Sequence, residues 1–275
     1  MKKVKLIAID LDGTLLDSEG KLSEINKTAL ESAVQKGIHI IIASGRPLAS
    51  LPADVLEIKG IEYAITSNGA AVYHLPSGNR VQGFFLTRES VEQIARIAKK
   101  EEVVLETFVD GVAYADKRYV EDPVRYGASK QAVSYVQRTR NPVEDMMCFI
   151  LEHIERLDSI DIVVKDLLVK KEIEKLLLDV NDIYVTSSVS QLVEISHKNA
   201  GKHSGMKFLS GVLEINAEEM AAIGNDMNDI DMMRFSGWGI AVKNASEECL
   251  KSADMIVGSN DEDGVAEAIY KMIKK

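Results

Sequence analysis

Two carboxylates, Asp10 and Asp12, follow an apolar run, Leu6 to Ile9, with Gly13 and Thr14 directly behind them. An apolar run without polar alternation suits a strand covered on both faces of a parallel sheet. Asp10 then falls at the carboxyl end of that strand, the edge at which open α/β sheets bind ligands. Asp and Gly are also the commonest turn formers, so this stretch alone leaves both readings open. Three more polar clusters stand at the ends of buried strands: Ser44 with Gly45, Lys202, and GNDMND over 224–229. Several such clusters at one edge of one sheet make a site.

These residue types suit phosphoryl transfer. A carboxylate can attack phosphorus and form an aspartyl-phosphate, which divides hydrolysis into two easier displacements. The attacked ester is a dianion, so its charge must be offset by a cation such as Mg²⁺ and by a lysine, while hydroxyl and backbone N–H groups orient the phosphoryl oxygens. Asp10 is the candidate nucleophile. Ser44, Lys202 and Asn228 are candidate phosphate clamps, together with the backbone at Leu11 and Gly45. Asp12 is the candidate acid that protonates the leaving alkoxide and the base that later activates water. His197 and His203 flank Lys202, but isolated histidines are more often structural.

The elements that must position these groups are legible in the pattern. Ser23 caps a helix whose positions Ile25, Leu30, Ala33 and Val34 share a face and which ends at Gly37. IHIIIA (38–43) is a second buried strand, so strand, helix and strand form a right-handed βαβ unit. Tyr63 to Thr66 is a third strand, running into SNGA. Beyond about residue 83 the strands become short or amphipathic (VVLETFV, GVAYA, MMCFILE, DIVVK), with helices over 87–100 and 168–179. That is the pattern of a separate α+β layer. MAAIG, GWGIAV and ADMIV then resume the first pattern. The expected fold class is α/β, a doubly wound and mostly parallel sheet carrying an inserted α/β domain: core over 1–82, insertion over 83–189, core again over 190–275.

Composition excludes several functions. The chain has 275 residues, 33 Lys plus Arg and 43 Asp plus Glu, a formal charge of −10. That balance gives no global attraction to nucleic acid or anionic lipid. No run approaches the ~18 apolar residues of a membrane span, and the N-terminal apolar stretch is too short for a signal peptide. Cys148 and Cys249 read as thiols in a reducing compartment rather than a zinc site. The expected setting is cytoplasmic, as a monomer or small homo-oligomer, with a small phosphate ester as partner.

DLDGT, SGR, Lys202 and GNDMNDIDMM, followed by GIAVKNASEECLKSADMIVGSNDEDGVAEAI, resemble the haloacid dehalogenase-like hydrolases, in particular the Cof-type sugar-phosphatase branch with its class IIB cap. The resemblance covers roughly 1–82 and 190–275. It implies a Mg²⁺-dependent phosphomonoesterase with an aspartyl-phosphate intermediate, the insertion being the cap that is lowered over the site and sets substrate choice. A departing halide needs no proton, so Asp12 argues for a phosphatase rather than a dehalogenase. The implied metal site comprises Asp10, Asp12, the first position of the GDxxND motif, and Asp229. Here that first position is Asn225, an amide where the family has a carboxylate; Asp226 is the alternative ligand if the loop is shifted by one. The neutral ligand leaves a second reading open, a non-catalytic or weakly active phosphometabolite-binding protein; a phosphomutase would use the same core. Arg125, Tyr126, Lys130 and Arg138 are available in the insertion to meet substrate, though a solvated surface is their more ordinary role.

Overall fold

The apolar runs form the interior of a parallel sheet. In a computed structural model, which describes residues 3–100 and 103–273, the strands in chain order are β1 (Leu6–Ile9), β2 (His39–Ala43), β3 (Ile61–Thr66), β4 (Ala71–His74), β5 (Asn79–Gly83), β6 (Val104–Val109), β7 (Val112–Asp116), β8 (Asn141–Val143), β9 (Leu157–Val163), β10 (Ile183–Thr186), β11 (Leu192–His197), β12 (Met220–Gly224), β13 (Trp238–Val242) and β14 (Met255–Val257). One sheet runs β14-β13-β12-β1-β2-β3-β4-β5. From β14 to β3 every pairing is parallel, and β4 returns antiparallel to β3. β1 lies between β12 and β2, and its four residues are all buried.

Helices Lys202–Leu213 and Ile230–Phe235 contribute Met206, Leu209, Met232 and Met233 to a core with Leu6, Ala8, Ile41, Ile65 and Ala222 of the strands. Helices Glu24–Gln35 and Gly264–Ile273 pack on each other. Ser23 caps the first of these by accepting from the Asn26 N–H at 3.0 Å, which is the entry the sequence reading placed there. Its buried face is Asn26, Ala29, Leu30 and Ala33, whereas Ile25 is 55% exposed. The face is rotated because the Asn26 amide donates to the Leu15 carbonyl and accepts from the Ala266 N–H. Those bonds make a buried Asn worthwhile where periodicity alone favours Ile25.

The chain divides into two compact units: Met1–Arg46, Leu51–Gln82 and Gly201–Lys275 form the first, Pro47–Ser50 and Gly83–Ala200 the second. The second contains a sheet ordered β10-β11-β9-β6-β7-β8, antiparallel except between β7 and β8. On one face Leu105, Val109, Ile160, Ile162, Val193 and Ile195 pack with Val91, Ile94, Ile173 and Leu177 of helices Arg88–Lys100 and Leu167–Leu177. Full burial of each such side chain stabilises by roughly 1.5–3 kcal/mol.

Two readings of this region change. MMCFILE is a helix, Met146–Glu152, capped by Asp145. Its two buried residues, Met146 and Ile150, are one helical turn apart, and a short apolar run does not by itself distinguish that period from a strand. β11 pairs with β9 and β10 in the second sheet, so the first unit resumes at Gly201 rather than at 190. An apolar strand sequence does not state which sheet it joins. Among the described residues no helix is long and apolar enough to cross a membrane.

Candidate active site

Parallel pairing brings the ends of β12, β1, β2 and β3 to one edge, which delivers Asn225, Asp10, Ser44 and Ser67 to the same side of the sheet. After β1 the chain turns sharply: the Leu11 carbonyl accepts from the N–H groups of Thr14, Leu15 and Leu16. Gly13 takes φ +75°, a conformation that glycine adopts without strain. Asp10 is left buried and Asp12 exposed.

The helix that begins at Lys202 places its first side chain against Asp10. The Lys202 ammonium, 1% exposed, donates to Asp10 Oδ1 and to Asp229 Oδ1, each at 2.6 Å. Burial opposes its charge, but Asp10 and Asp229 outweigh burial and hold its pKa above the ordinary lysine value. Burial, then the neighbouring Asp229 carboxylate, lifts Asp10 to about 7 against the pull of Lys202. Two carboxylates share one ammonium, so the cluster is short of positive charge.

Asp229 uses both oxygens: Oδ1 on Lys202, and Oδ2 as acceptor from the Asn225 and Asp226 N–H groups at 2.9 and 3.1 Å. It holds the lysine and the 225–226 turn in place. Asp229, expected as a metal ligand, thus has both oxygens engaged by protein donors. Asp226 caps the short turn Met227–Asp229 through the Met227 N–H at 2.7 Å. The side chain that reaches the β1 turn is Asn225. With its nitrogen turned inward the amide donates to Thr14 Oγ1 at 3.1 Å, and to Asp10 Oδ2 and the Asp12 carbonyl at 3.2 Å. With its oxygen inward it accepts from Thr14 Oγ1 at 3.1 Å and faces those two oxygens, an arrangement that only a cation makes favourable. Asp10 Oδ2, the Asp12 carbonyl and Asn225 Oδ1 are thus a hard, all-oxygen donor set that fits Mg²⁺.

Ser44, 1% exposed, accepts from the Arg46 N–H through its hydroxyl at 3.1 Å, with Gly45 between them in the turn after β2. Asn228 donates to the Asn68 side chain at 3.0 Å. Sequence reasoning missed two contributors. Arg46, the last residue of SGR, grips the Asp12 carboxylate through Nε at 2.8 Å and Nη2 at 2.6 Å. Asn68, in the SNG that follows β3, also accepts from the Gly201 N–H at 2.8 Å and donates its own N–H to the Ser44 carbonyl at 3.1 Å. Both lie in motifs that follow strands, SGR after β2 and SNG after β3, and that position is the available signal. His197 accepts from the Asn199 N–H and stacks on Phe84. Arg125, Lys130 and Arg138 are exposed and Tyr126 is partly buried; the buried arginine of the second unit is Arg140, which pairs with Glu106 at 2.7 Å.

The family profile described as haloacid dehalogenase-like hydrolase matches residues 7–269. Phosphatase YwpJ of Bacillus subtilis is 29% identical, covering 98% of this chain and 100% of its own. The 5-amino-6-(5-phospho-D-ribitylamino)uracil phosphatase YcsE of the same organism is 27% identical over 97% of this chain and 94% of its own. A crystal structure of a haloacid dehalogenase-like hydrolase from Bacteroides thetaiotaomicron superposes with a TM-score of 0.80 at 29% identity, covering 98% of this chain and 100% of that one.

Proposed function

The chain belongs to the haloacid dehalogenase-like hydrolases, and from that premise we propose that it is a Mg²⁺-dependent phosphatase of small phosphate monoesters, sugar phosphates or related metabolites. The observation that carries this reading is the convergence of Asp10, Lys202 and the Asn225 amide at one edge of the parallel sheet. The Asp10 carboxylate attacks phosphorus and the ester P–O bond breaks. Asp12 gives its proton to the departing alkoxide. Asp12 then takes a proton from water, whose oxygen attacks the aspartyl-phosphate, releasing phosphate and restoring Asp10.

Asp10, the Asp12 carbonyl and Asn225 would hold Mg²⁺, which when bound offsets the charge of the attacked dianion. Lys202 adds a fixed positive charge beside the nucleophile. Ser44, Asn228 and the backbone at Leu11 and Gly45 orient the phosphoryl oxygens. In the structure Arg46 pairs with the Asp12 side chain at 2.6 Å. For the first step that grip must pass to another anion, and the incoming phosphate is the natural one. The second unit is the inserted cap.

The test is hydrolysis of p-nitrophenyl phosphate by the intact protein with Mg²⁺. Activity is expected, EDTA should abolish it, and Asp10→Asn should reduce it to below a few per cent while thermal unfolding stays cooperative. Ca²⁺ should not restore the rate, because its longer and more numerous bonds spoil in-line geometry. The neutral ligand Asn225 favours one rival, a phosphometabolite-binding protein without turnover. Absence of hydrolysis at saturating Mg²⁺ would select that rival.

A further inference from the structure

Between β3 and β4 the chain reverses in an uncommon conformation. Ser67, Asn68 and Gly69 have φ of +50°, +51° and +84°. L-residues avoid the left-handed region because Cβ crowds the following carbonyl oxygen, so two non-glycine residues in succession there carry strain. Such strain persists where the surroundings hold it, and it gathers at functional sites. Here the surroundings are the site itself. The Ser67 N–H donates to the Arg46 carbonyl at 3.0 Å and the Asn68 N–H to the Ser44 carbonyl at 3.1 Å, while the Asn68 carbonyl accepts from the Gly201 N–H at 2.8 Å. The turn is thereby bound to the segment that carries Ser44 and to the residue before Lys202.

These backbone bonds fix where the Asn68 side chain stands. Asn68 and Asn228 are both buried, and the Asn68 carboxamide oxygen accepts from Asn228 Nδ2 at 3.0 Å. Among the described residues this is the one hydrogen bond of the Asn228 side chain. A carboxamide nitrogen carries two N–H groups, whereas its oxygen only accepts. With one N–H given to Asn68, the second remains to donate to a phosphoryl oxygen. An amide turned the other way would offer the anion its carbonyl oxygen, which repels it. The direction in which Asn228 faces therefore depends on the acceptor at Asn68.

Resting on the phosphatase reading, we propose that Asn68 is a positioning residue of the phosphate clamp: it acts through Asn228, its side-chain oxygen holding that amide in the orientation that donates to the phosphoryl group. The role accounts for the residue type. Asn tolerates the left-handed backbone better than most side chains and supplies a neutral acceptor, whereas Asp would bring a further negative charge toward the phosphate.

Asn68→Gly tests this, because glycine keeps the left-handed backbone and removes only the side chain. Inorganic phosphate is titrated calorimetrically, with Mg²⁺, into the intact wild type, Asn68→Gly, Asn228→Ala and the double variant, and thermal unfolding checks that each is folded. Asn228→Ala should weaken phosphate binding about tenfold and Asn68→Gly about fivefold, as expected for losing or misdirecting one hydrogen bond to a charged group. The double variant should bind no more weakly than Asn228→Ala alone, since residues that act through one another are not additive. Asn68→Asp keeps the acceptor, so in that background Asn228→Ala should again cost about tenfold, whatever the added charge does to overall affinity. With p-nitrophenyl phosphate, kcat/KM should follow the same pattern. An Asn68 that only supports the fold would lower affinity by the same factor with and without Asn228; that result, or unchanged affinity in either single variant, would overturn the proposal. Failure of the phosphatase reading alone is distinguishable, since it would show as absent hydrolysis with the coupling in phosphate binding intact.

Discussion

At the scale of single residues the telling position is Asn225. Its amide reaches the same oxygens of Asp10 and Asp12 that would hold Mg²⁺ on the proposed reading. Being neutral, it draws the cation less strongly than a carboxylate would. Asn225→Asp should lower the Mg²⁺ concentration for half-maximal rate by about tenfold, taking one charge-assisted ligand as on the order of 1.5 kcal/mol. The same change should lower the melting temperature in EDTA, because a third carboxylate then faces Asp10 and Asp229 without its donors. Asp226→Asn should move the Mg²⁺ requirement less, since that side chain caps the turn. The reverse ranking in a Mg²⁺ titration would place the metal on Asp226.

Among the elements, the helix Lys202–Leu213 decides whether the lysine meets Asp10. Its start is fixed by a close backbone contact: Gly201 donates to Asn68, and a Cβ built on Gly69 would lie 2.0 Å from the Gly201 carbonyl oxygen. Gly69 also has φ +84°. Gly69→Ala should therefore push the helix start away from β3. The expected loss is about 1–3 kcal/mol from overpacking in addition to roughly 1–2 kcal/mol for the left-handed backbone, together with a fall in kcat as Lys202 moves. Gly20→Ala is the control, with φ +77° and nothing within 4 Å; it should lose only the backbone share. Thermal unfolding and kcat of the two variants, side by side, separate the contact from the conformation.

For the whole molecule, the buried cluster of Asp10, Asp229 and Lys202 couples folding to pH. Asp10 has a pKa near 7 against an ordinary value of 3.8, so between those limits the folded, metal-free protein binds more protons than the unfolded chain. Its contribution to stability therefore falls as pH rises from about 4 to about 7. In EDTA, Asp10→Asn should melt several degrees above the wild type at pH 8, with the gap closing toward pH 5. Adding Mg²⁺ should raise the wild-type midpoint and leave the variant nearly unmoved. A gap that stays constant across this range would show that Asp10 keeps its proton equilibrium unchanged on folding.

The sequence by itself made the parallel α/β core legible, because short apolar runs such as Leu6–Ile9 and Ile40–Ala43 alternate with a helical pattern over 24–35, an order that suits a sheet covered on both faces. It also determined that Asp10, Ser44 and the 224–229 motif stand at strand ends, since the apolar pattern stops at each of them. Only the tertiary structure decided that β11 joins the second sheet, that Met146–Glu152 is helical, and that Asn26 rather than Ile25 faces inward. Those outcomes depend on partners distant in the chain. The same holds at the site. Arg46 on Asp12, Asn68 between Asn228 and Gly201, and Asp229 holding Lys202 are hydrogen bonds across 34 to 160 positions or between helix and loop, and nothing local in the sequence specifies a bond whose geometry arises only when the strands align.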